Sequence, residues 1–170
     1  MNVDRCRHTF VTLAAKVMPA LMREMRKAMR TPHSMTELAA PGAGVKRYLG
    51  RLGLMRDFAG CYVLLERKRP IYVGISQHVV TRLIQHVKGR THFDASLAYQ
   101  MACKHCPHKV TRARAMTRPL FRRAFAKERR RLSRMQVAWV HITNPVELHL
   151  FEVYCAMELN TGRWNTFQTH

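Results

Sequence analysis

The chain has 170 residues, 47% of them apolar, which is enough for the core of one compact domain with an elaboration. Its 30 Lys and Arg against 10 Asp and Glu give a formal net charge of +20, which favours a polyanionic partner, above all nucleic acid. No run approaches the roughly 18 consecutive apolar residues of a membrane span, and no signal-peptide core is found. We therefore expect a cytoplasmic protein without a membrane partner, with its five cysteines reduced.

The first 58 residues look helical and basic. A long helix is predicted over residues 9–29, where the apolar residues recur at helical spacing. Pro41 and the glycines beside it interrupt the chain, and a short helix over residues 45–52 follows. No residues here have recognisable catalytic chemistry. We interpret residues 1–58 as a basic helical N-terminal extension that packs on the domain behind it; its predicted apolar stripe is Phe10, Leu13, Val17, Leu21 and Met25.

A change in pattern at Gly60 predicts a β-hairpin. Two apolar runs, residues 61–65 and 71–75, are joined by a short polar turn. Ser76 is placed to cap a following helix. That helix has one apolar face, formed by Val79, Val80, Leu83, Ile84 and Val87.

A third strand is predicted at residues 137–142, and a last helix after it. Asn144 at the N-cap, Pro145 at the first helical position and Glu147 form a capping-box-like start. The element order from residue 59 to residue 170 is strand, strand, helix, helical insertion, strand and helix, which predicts an α/β (α+β) fold.

A basic helical insertion is predicted at about residues 90–135. Pro119 starts a helix whose Phe121, Phe125 and Leu132 point inward. Eight Lys or Arg and one acid lie between residues 118 and 134. A solvated basic face is the alternative to a surface that follows phosphates. The predicted nucleic-acid-binding residues are Arg118, Arg122, Arg123, Lys127, Arg129, Arg130, Arg131 and Arg134.

Glu152 is the carboxylate that the sequence marks as unusual. Acids after residue 60 are few and scattered, which argues against a two-metal centre and for one ion held by one carboxylate. At 100° per residue, Glu152 falls within the apolar arc of the last helix. A carboxylate there is costly unless it is paired, protonated or bound to a metal, and a salt bridge to an arginine is the alternative.

Arg82 and His86 lie four residues apart, on one face of the helix after the hairpin. An arginine suits phosphate oxygens, and a histidine can accept a proton near neutral pH. We expect both side chains to point at the sheet that carries Tyr62 and Tyr72, with Glu152 facing the same rings.

This set of residues resembles the GIY-YIG nuclease family. Gly60-Cys61-Tyr62 is similar to its first tripeptide and Tyr72-Val73-Gly74 to its second, and each interval from Tyr62 to Tyr72 to Arg82 is ten residues. His86, Glu152 and Trp164-Asn165 follow in the family's order. The resemblance covers residues 60–165. Cys61 replaces the usual aliphatic residue, and Ile75 stands where several members have a lysine.

The resemblance implies a small three-stranded antiparallel sheet flanked by helices. It also implies a metal-dependent endonuclease that hydrolyses phosphodiester bonds, most readily of DNA, to 5′-phosphate and 3′-hydroxyl ends. Glu152 would hold Mg²⁺ (or Mn²⁺). Tyr62, assisted by His86, would help to deprotonate the attacking water, and Tyr72 would orient that network. Arg82 would stabilise charge on the phosphate, and Asn165 would brace the site.

Three alternatives remain beside that interpretation. A restriction-like site would use Asp57 and Glu66-Arg67-Lys68, but this pattern is common by chance. A structural zinc could bind Cys103 and Cys106 with His105 or His108 and one of Cys6, His8 and His92, although free thiols are favoured. The chain could also be a non-catalytic basic DNA- or RNA-binding module. The oligomeric state, and a protein partner that supplies specificity, are left open.

Overall fold

The computed structural model describes residues 3–167, so residues 1–2 and 168–170, at the outer ends of the predicted segments, lie outside it. A 3-10 turn at Val3–Arg5 precedes the helices, and a π-helical turn at Leu13–Val17 joins the first two. No helix within residues 3–167 has the length and apolarity that crossing a bilayer requires. The strands are β1 (His33–Ser34), β2 (Gly60–Glu66), β3 (Arg69–Ser76) and β4 (Gln136–His141). The helices are α1 (Phe10–Thr12), α2 (Met18–Ala28), α3 (Met35–Ala39), α4 (Val45–Arg51), α5 (Val79–Lys88), α6 (Ser96–His105), α7 (Arg112–Thr117), α8 (Pro119–Leu132) and α9 (Pro145–Glu158).

The sheet is small and antiparallel, with the strand order β1-β4-β2-β3. The predicted mixed α/β class is therefore confirmed, but the predicted number of strands, three, is wrong. The additional strand, β1, has only two residues. A strand of that length carries no alternation of apolar and polar residues, so the sequence pattern gave no sign of it.

The hairpin formed by β2 and β3 follows the prediction closely. Arg67 and Lys68 form its two-residue turn, and both have positive φ, 51° and 66°. A two-residue turn with positive φ at both positions has a backbone twist that matches the right-handed twist of the paired strands. Pro70 lies in β3 at the edge of the sheet, where a missing N–H is tolerated, next to a register shift between Leu64 and Leu65.

The chain divides into two compact units, and the division differs from the predicted segments. The first unit comprises Met1–His33, Arg56–Val79 and Gln136–His170. Its core contains residues of the predicted extension, because α2 packs against β4 and α9. The second unit comprises Ser34–Met55 and Val80–Met135.

The N-terminal helix of the first unit buries a stripe that overlaps the predicted one, since Leu13 and Met25 are buried and Val17 and Leu21 pack against the core. Phe10 is 70% exposed, and the core-facing residues are Leu13, Met18, Met22 and Met25. The cause of the difference is the π-helical turn, in which Met18 N–H donates to the carbonyl of Leu13, five residues back. Pro19 follows directly and has no N–H of its own, so a regular α-helical bond is missing at this point.

Helix α9 starts as the sequence predicts. The Asn144 side-chain oxygen accepts hydrogen bonds from the N–H groups of Val146 (3.0 Å) and Glu147 (3.2 Å), and Pro145 is the first helical residue. Leu148, Phe151, Cys155 and Ala156 then enter the core. The predicted N-cap is confirmed.

The second unit is helical and is built around α8. Helices α6 and α7 both pack on α8, whose Phe121, Phe125 and Leu132 are buried as predicted. Glu128 is buried as well, with 2% exposure. It is stabilised by Arg131 Nη1 at 3.2 Å and His105 Nε2 at 3.4 Å.

Candidate functional site

Tyr62 and Tyr72 lie on the same face of the hairpin. In the antiparallel register Tyr62 is opposite Gly74 and Leu64 is opposite Tyr72, and directly opposed residues share a face. The two ring centroids are 6.3 Å apart with an interplanar angle of 50°. The Tyr62 side chain is 1% exposed and Tyr72 is half-buried. The first unit therefore holds the two phenols side by side.

Both tripeptide glycines are required by close approaches. A methyl group on Gly74 would lie 2.5 Å from Cζ and the hydroxyl oxygen of Tyr62, so only glycine leaves room for that ring. A methyl group on Gly60 would collide with the backbone carbonyl of Val140 on the neighbouring strand. The glycines thus fix the position of the Tyr62 ring and the start of β2.

Asn165 braces the outer edge of the hairpin. Its Nδ2 donates to the Val73 carbonyl at 2.7 Å, and its Oδ1 accepts from the Val73 N–H at 2.9 Å. Because β3 is an edge strand, these backbone groups have no strand partner on that side. The amide side chain supplies the pair of hydrogen bonds that another strand would supply.

Glu152 is a half-buried carboxylate on α9. Within residues 3–167 it makes no hydrogen bond and no ion pair, whereas Glu147 pairs with His8 at 3.8 Å and Glu158 with Arg26 at 2.9 Å. The salt bridge that we considered as an alternative is therefore not present there. Burial raises the pKa of the Glu152 carboxyl above its usual value, and His149 partly opposes this shift.

Glu152 approaches the hairpin from the side opposite to the tyrosine rings. Cys61 and Val63 point into the core that α9 covers, whereas Tyr62, between them, points to the other face. The pKa of the Cys61 thiol is raised by burial first, then by Cys155 and then by the charge of Glu152. Glu152 therefore lies near Cys61. The expectation that Glu152 faces both rings is therefore wrong. A side chain on a helix that covers one face of a sheet contacts only the strand residues that point to that face, which are every second residue.

Arg82 and His86 belong to the second unit, on α5. Arg82 donates from Nη1 to the Asp94 carbonyl (2.8 Å) and to Gln85 Oε1 (3.3 Å), and from Nη2 to Ser96 Oγ (2.6 Å). Three of its five N–H donors are therefore engaged within the unit, and two are left for a ligand.

His86 is completely buried. Burial first, and then the charge of Arg82, lower the pKa of His86 from 6.5 to about 3. It is therefore a neutral imidazole at physiological pH. The expectation that His86 accepts a proton near neutral pH is wrong, because the sequence could not reveal its complete burial. A hydrogen-bonding role remains open to it.

The basic face of α8 contains most of the predicted cations. Arg129 instead donates to the Gly89 carbonyl at 2.7 Å, and Arg131 pairs with the buried Glu128, so both have structural roles. The sequence did not show these roles because the partners lie on another element or inside the unit. The exposed residues of the set are Arg118, Arg122, Arg123, Lys127, Arg130 and Arg134.

The cysteines of the predicted zinc alternative lie in a hydrogen-bonded cluster. His108 Nε2 is 2.9 Å from the Tyr99 hydroxyl and 3.6 Å from Cys103 Sγ. Burial raises the pKa of the Cys103 thiol. Among residues 3–167, no group of three or more His, Cys, Asp or Glu side chains is arranged to hold a metal ion.

The restriction-like alternative is not compatible with the strand that separates its acids. Asp57 precedes β2 and accepts the N–H of Phe58 at 2.9 Å, while Glu66 is the last residue of the same strand. At about 3.3 Å per residue, β2 keeps the two carboxylates roughly 20 Å apart. They cannot share one metal ion.

Comparison with known proteins adds no relative, since no family model, no curated protein and no solved structure matches this chain.

Proposed function

We propose that this chain is a metal-dependent endonuclease of the GIY-YIG type that hydrolyses phosphodiester bonds in DNA. The observation that carries the proposal is the arrangement of the hairpin. The Tyr62 ring packs over Gly74 beside the Tyr72 ring, and Asn165 braces the strand of the second tripeptide. Each motif residue of the resemblance within the first unit thus has a definite physical task.

In the proposed reaction, the Tyr62 hydroxyl helps to take the proton from a water molecule as the water oxygen attacks phosphorus. The P–O3′ bond then breaks, and the leaving 3′ oxygen takes a proton from solvent, so that the products are a 5′-phosphate and a 3′-hydroxyl. Tyr72 orients the Tyr62 hydroxyl and the water. Positioning of this kind is effective because both rings are fixed by packing before the substrate arrives.

Glu152 fits the ion that the proposal requires. Its carboxylate is half-buried and makes no ion pair within the described chain, and burial raises its pKa while His149 partly opposes that shift. Magnesium or manganese prefers such oxygen ligands. A divalent ion held by Glu152 would supply positive charge for the leaving 3′ oxygen. The proposal requires that one phosphate reach both this ion and the Tyr62 hydroxyl, although α9 and the tyrosine rings lie on opposite sides of the hairpin.

The resemblance assigns phosphate stabilisation to Arg82 and a supporting role to His86. The two N–H groups of Arg82 that remain after its bonds to Asp94, Ser96 and Gln85 suit a phosphate oxygen. His86, a neutral imidazole, would assist by hydrogen bonding rather than by holding a proton. The exposed cations of α8 would hold the nucleic-acid backbone.

The experiment compares two glutamates of the same helix. Glu152→Gln should lower magnesium-dependent cleavage of DNA by about 100-fold or more, because the amide is a poor ligand for the ion. Glu158→Gln, on the exposed face beside Arg26, is the matched control and should keep the rate. DNA binding in the presence of a chelator should not change in either variant. Equal rates for the Glu152 variant and the native chain would contradict the proposal.

A non-catalytic DNA- or RNA-binding module is the second candidate. It is favoured by the bonds that already engage Arg82 and by the burial of His86, since both make these residues structural. The same assay distinguishes the candidates. Binding without any metal-dependent cleavage of single-stranded, duplex, branched or RNA substrates would favour the module.

A further inference from the structure

Four aromatic rings form a continuous row in the first unit, here called the aromatic row. His33 is stacked on Trp139, with centroids 4.1 Å apart and planes within 8°. Phe58 is stacked on His141 at 3.8 Å and 7°. Phe58 and Trp139 are 5.9 Å apart and join the two pairs. The rings come from three separate segments of chain, so the row is a product of the fold.

The aromatic row is accessible to solvent. His141 is exposed, and the other three rings are partly exposed. Trp139 and His141 are two residues apart on β4, so alternation puts them on the same face of the sheet. Large aromatic rings are usually covered in a protein core, so these partly exposed rings leave π surface in contact with water.

The charge around the aromatic row suits a polyanion. Arg30 and Arg56 are exposed and stand three residues before His33 and two before Phe58 in the chain. Asp57, the neighbouring acid, accepts the N–H of Phe58. Partial burial of its ring lowers the pKa of His141 below its usual value, which favours the neutral form. Exposed guanidinium groups that suit phosphates therefore lie close in the chain to rings that suit bases.

We propose that the aromatic row binds unpaired bases of a single-stranded nucleic acid by stacking. Every base has a π face, so such a surface holds a strand without reading its sequence. In a duplex both faces of a base are covered by neighbouring bases, so the row selects unpaired nucleotides. The inference rests on the proposed function in one respect, namely that the strand bound by the aromatic row is the strand that is cut.

The test separates base stacking from phosphate contacts. Fluorescence anisotropy, with a chelator present to prevent cleavage, measures the affinity for an oligothymidylate and for an abasic oligonucleotide of the same length. At one salt concentration the native chain should bind the oligothymidylate about 10-fold more tightly. Trp139→Ala should abolish this preference without changing the affinity for the abasic strand. Equal affinity of the native chain for both strands would overturn the proposal.

Three further variants control the result. His141→Ala changes an exposed ring and should lose part of the preference even if Trp139→Ala fails to fold. Trp139→Phe keeps an aromatic ring and should keep most of the preference for the oligothymidylate. Arg123→Ala, on α8, should weaken binding of both strands equally, because it removes only charge. If both alanine variants of the row fold and keep the preference, the proposal is wrong. A base preference without cleavage in magnesium contradicts only the proposed nuclease.

Discussion

At the scale of single residues, the hairpin shows that a side chain's task depends on what lies against it. The Tyr62 ring occupies the space above Gly74, so glycine and tyrosine form one packing unit across two strands. Glu152, by contrast, makes no hydrogen bond and no ion pair among the described residues, although it is half-buried. The first arrangement stabilises the fold, and the second leaves a group available for a ligand.

Gly74→Ala should destabilise the protein by about 1–3 kcal/mol, because the new methyl group collides with a ring that is 1% exposed and cannot move away. Urea unfolding measures this free energy. Gly162→Ala, where nothing lies within 4 Å of the new methyl, is the matched control and should be neutral or slightly stabilising. Adding Tyr62→Ala to Gly74→Ala should relieve the collision, so strictly additive effects would argue against this packing unit.

The burial of His86 predicts a dependence of stability on pH. Its pKa is about 3 in the folded chain and near 6.5 when unfolded, so the unfolded state binds the proton first as the pH falls. The stabilisation is complete above pH 6.5 and is lost as the pH falls towards 3, with a slope of up to about 1.4 kcal/mol per pH unit.

Urea unfolding between pH 7.5 and pH 4.5 tests this dependence. His86→Phe should flatten the profile of stability against pH. His78→Phe is the control, because it changes an exposed histidine earlier in the chain, and it should leave the profile steep. The native chain and the His86 variant would show parallel profiles if His86 were protonated in the folded state.

At the scale of elements, local signals predicted what depends on local sequence. The hairpin, the capped start of α9 and the inward face of α8 follow from alternation, capping residues and helical spacing. The two-residue strand β1 depends on pairing with distant residues, and the π-helical turn at Leu13–Val17, next to Pro19, shifts the helical period. The burial of Glu128 likewise depends on His105 from another helix. Sequence periodicity contains none of this information.

The candidate site shows the same distinction. The sequence identified the two tyrosines, the glycine and the bracing asparagine, because tripeptides and their intervals are local or fixed by the hairpin. It did not identify which sheet face α9 covers, and hence from which side Glu152 approaches, since helix placement depends on the whole core. The stacking of His33 on Trp139 was missed for the same reason.

The brace on β3 can be tested at this scale. Asn165→Ala removes both hydrogen bonds to Val73, whose side chain and backbone lie in a buried position, and should cost about 2–3 kcal/mol. Asn165→Asp keeps the acceptor for the Val73 N–H and should preserve its slow hydrogen exchange better than alanine does. Unchanged exchange of the Val73 amide in the alanine variant would show that the brace is unimportant.

At the scale of the whole molecule, a net charge of +20 is the dominant property. Like charges of this number repel one another in a folded chain, and a polyanion relieves the repulsion while its counterions are released. Several acids form ion pairs with single basic residues, as Glu158 does with Arg26 and Glu37 with Arg51. Most of the exposed positive charge therefore remains available to nucleic acid.

The exposed cations on α8 and directly beside its two ends should set the salt dependence of duplex DNA binding. If the six exposed Lys and Arg of this set contact phosphates, log Kd should rise with log salt with a slope of roughly 5. The triple change Arg122→Ala, Arg123→Ala and Lys127→Ala should lower that slope by about 3, since each lost contact removes about 0.9. Arg26→Ala removes one charge that is already paired with Glu158 and should leave the slope nearly unchanged. A triple variant with the native slope would place the phosphate contacts on other parts of the chain, because salt dependence counts contacts and not total charge.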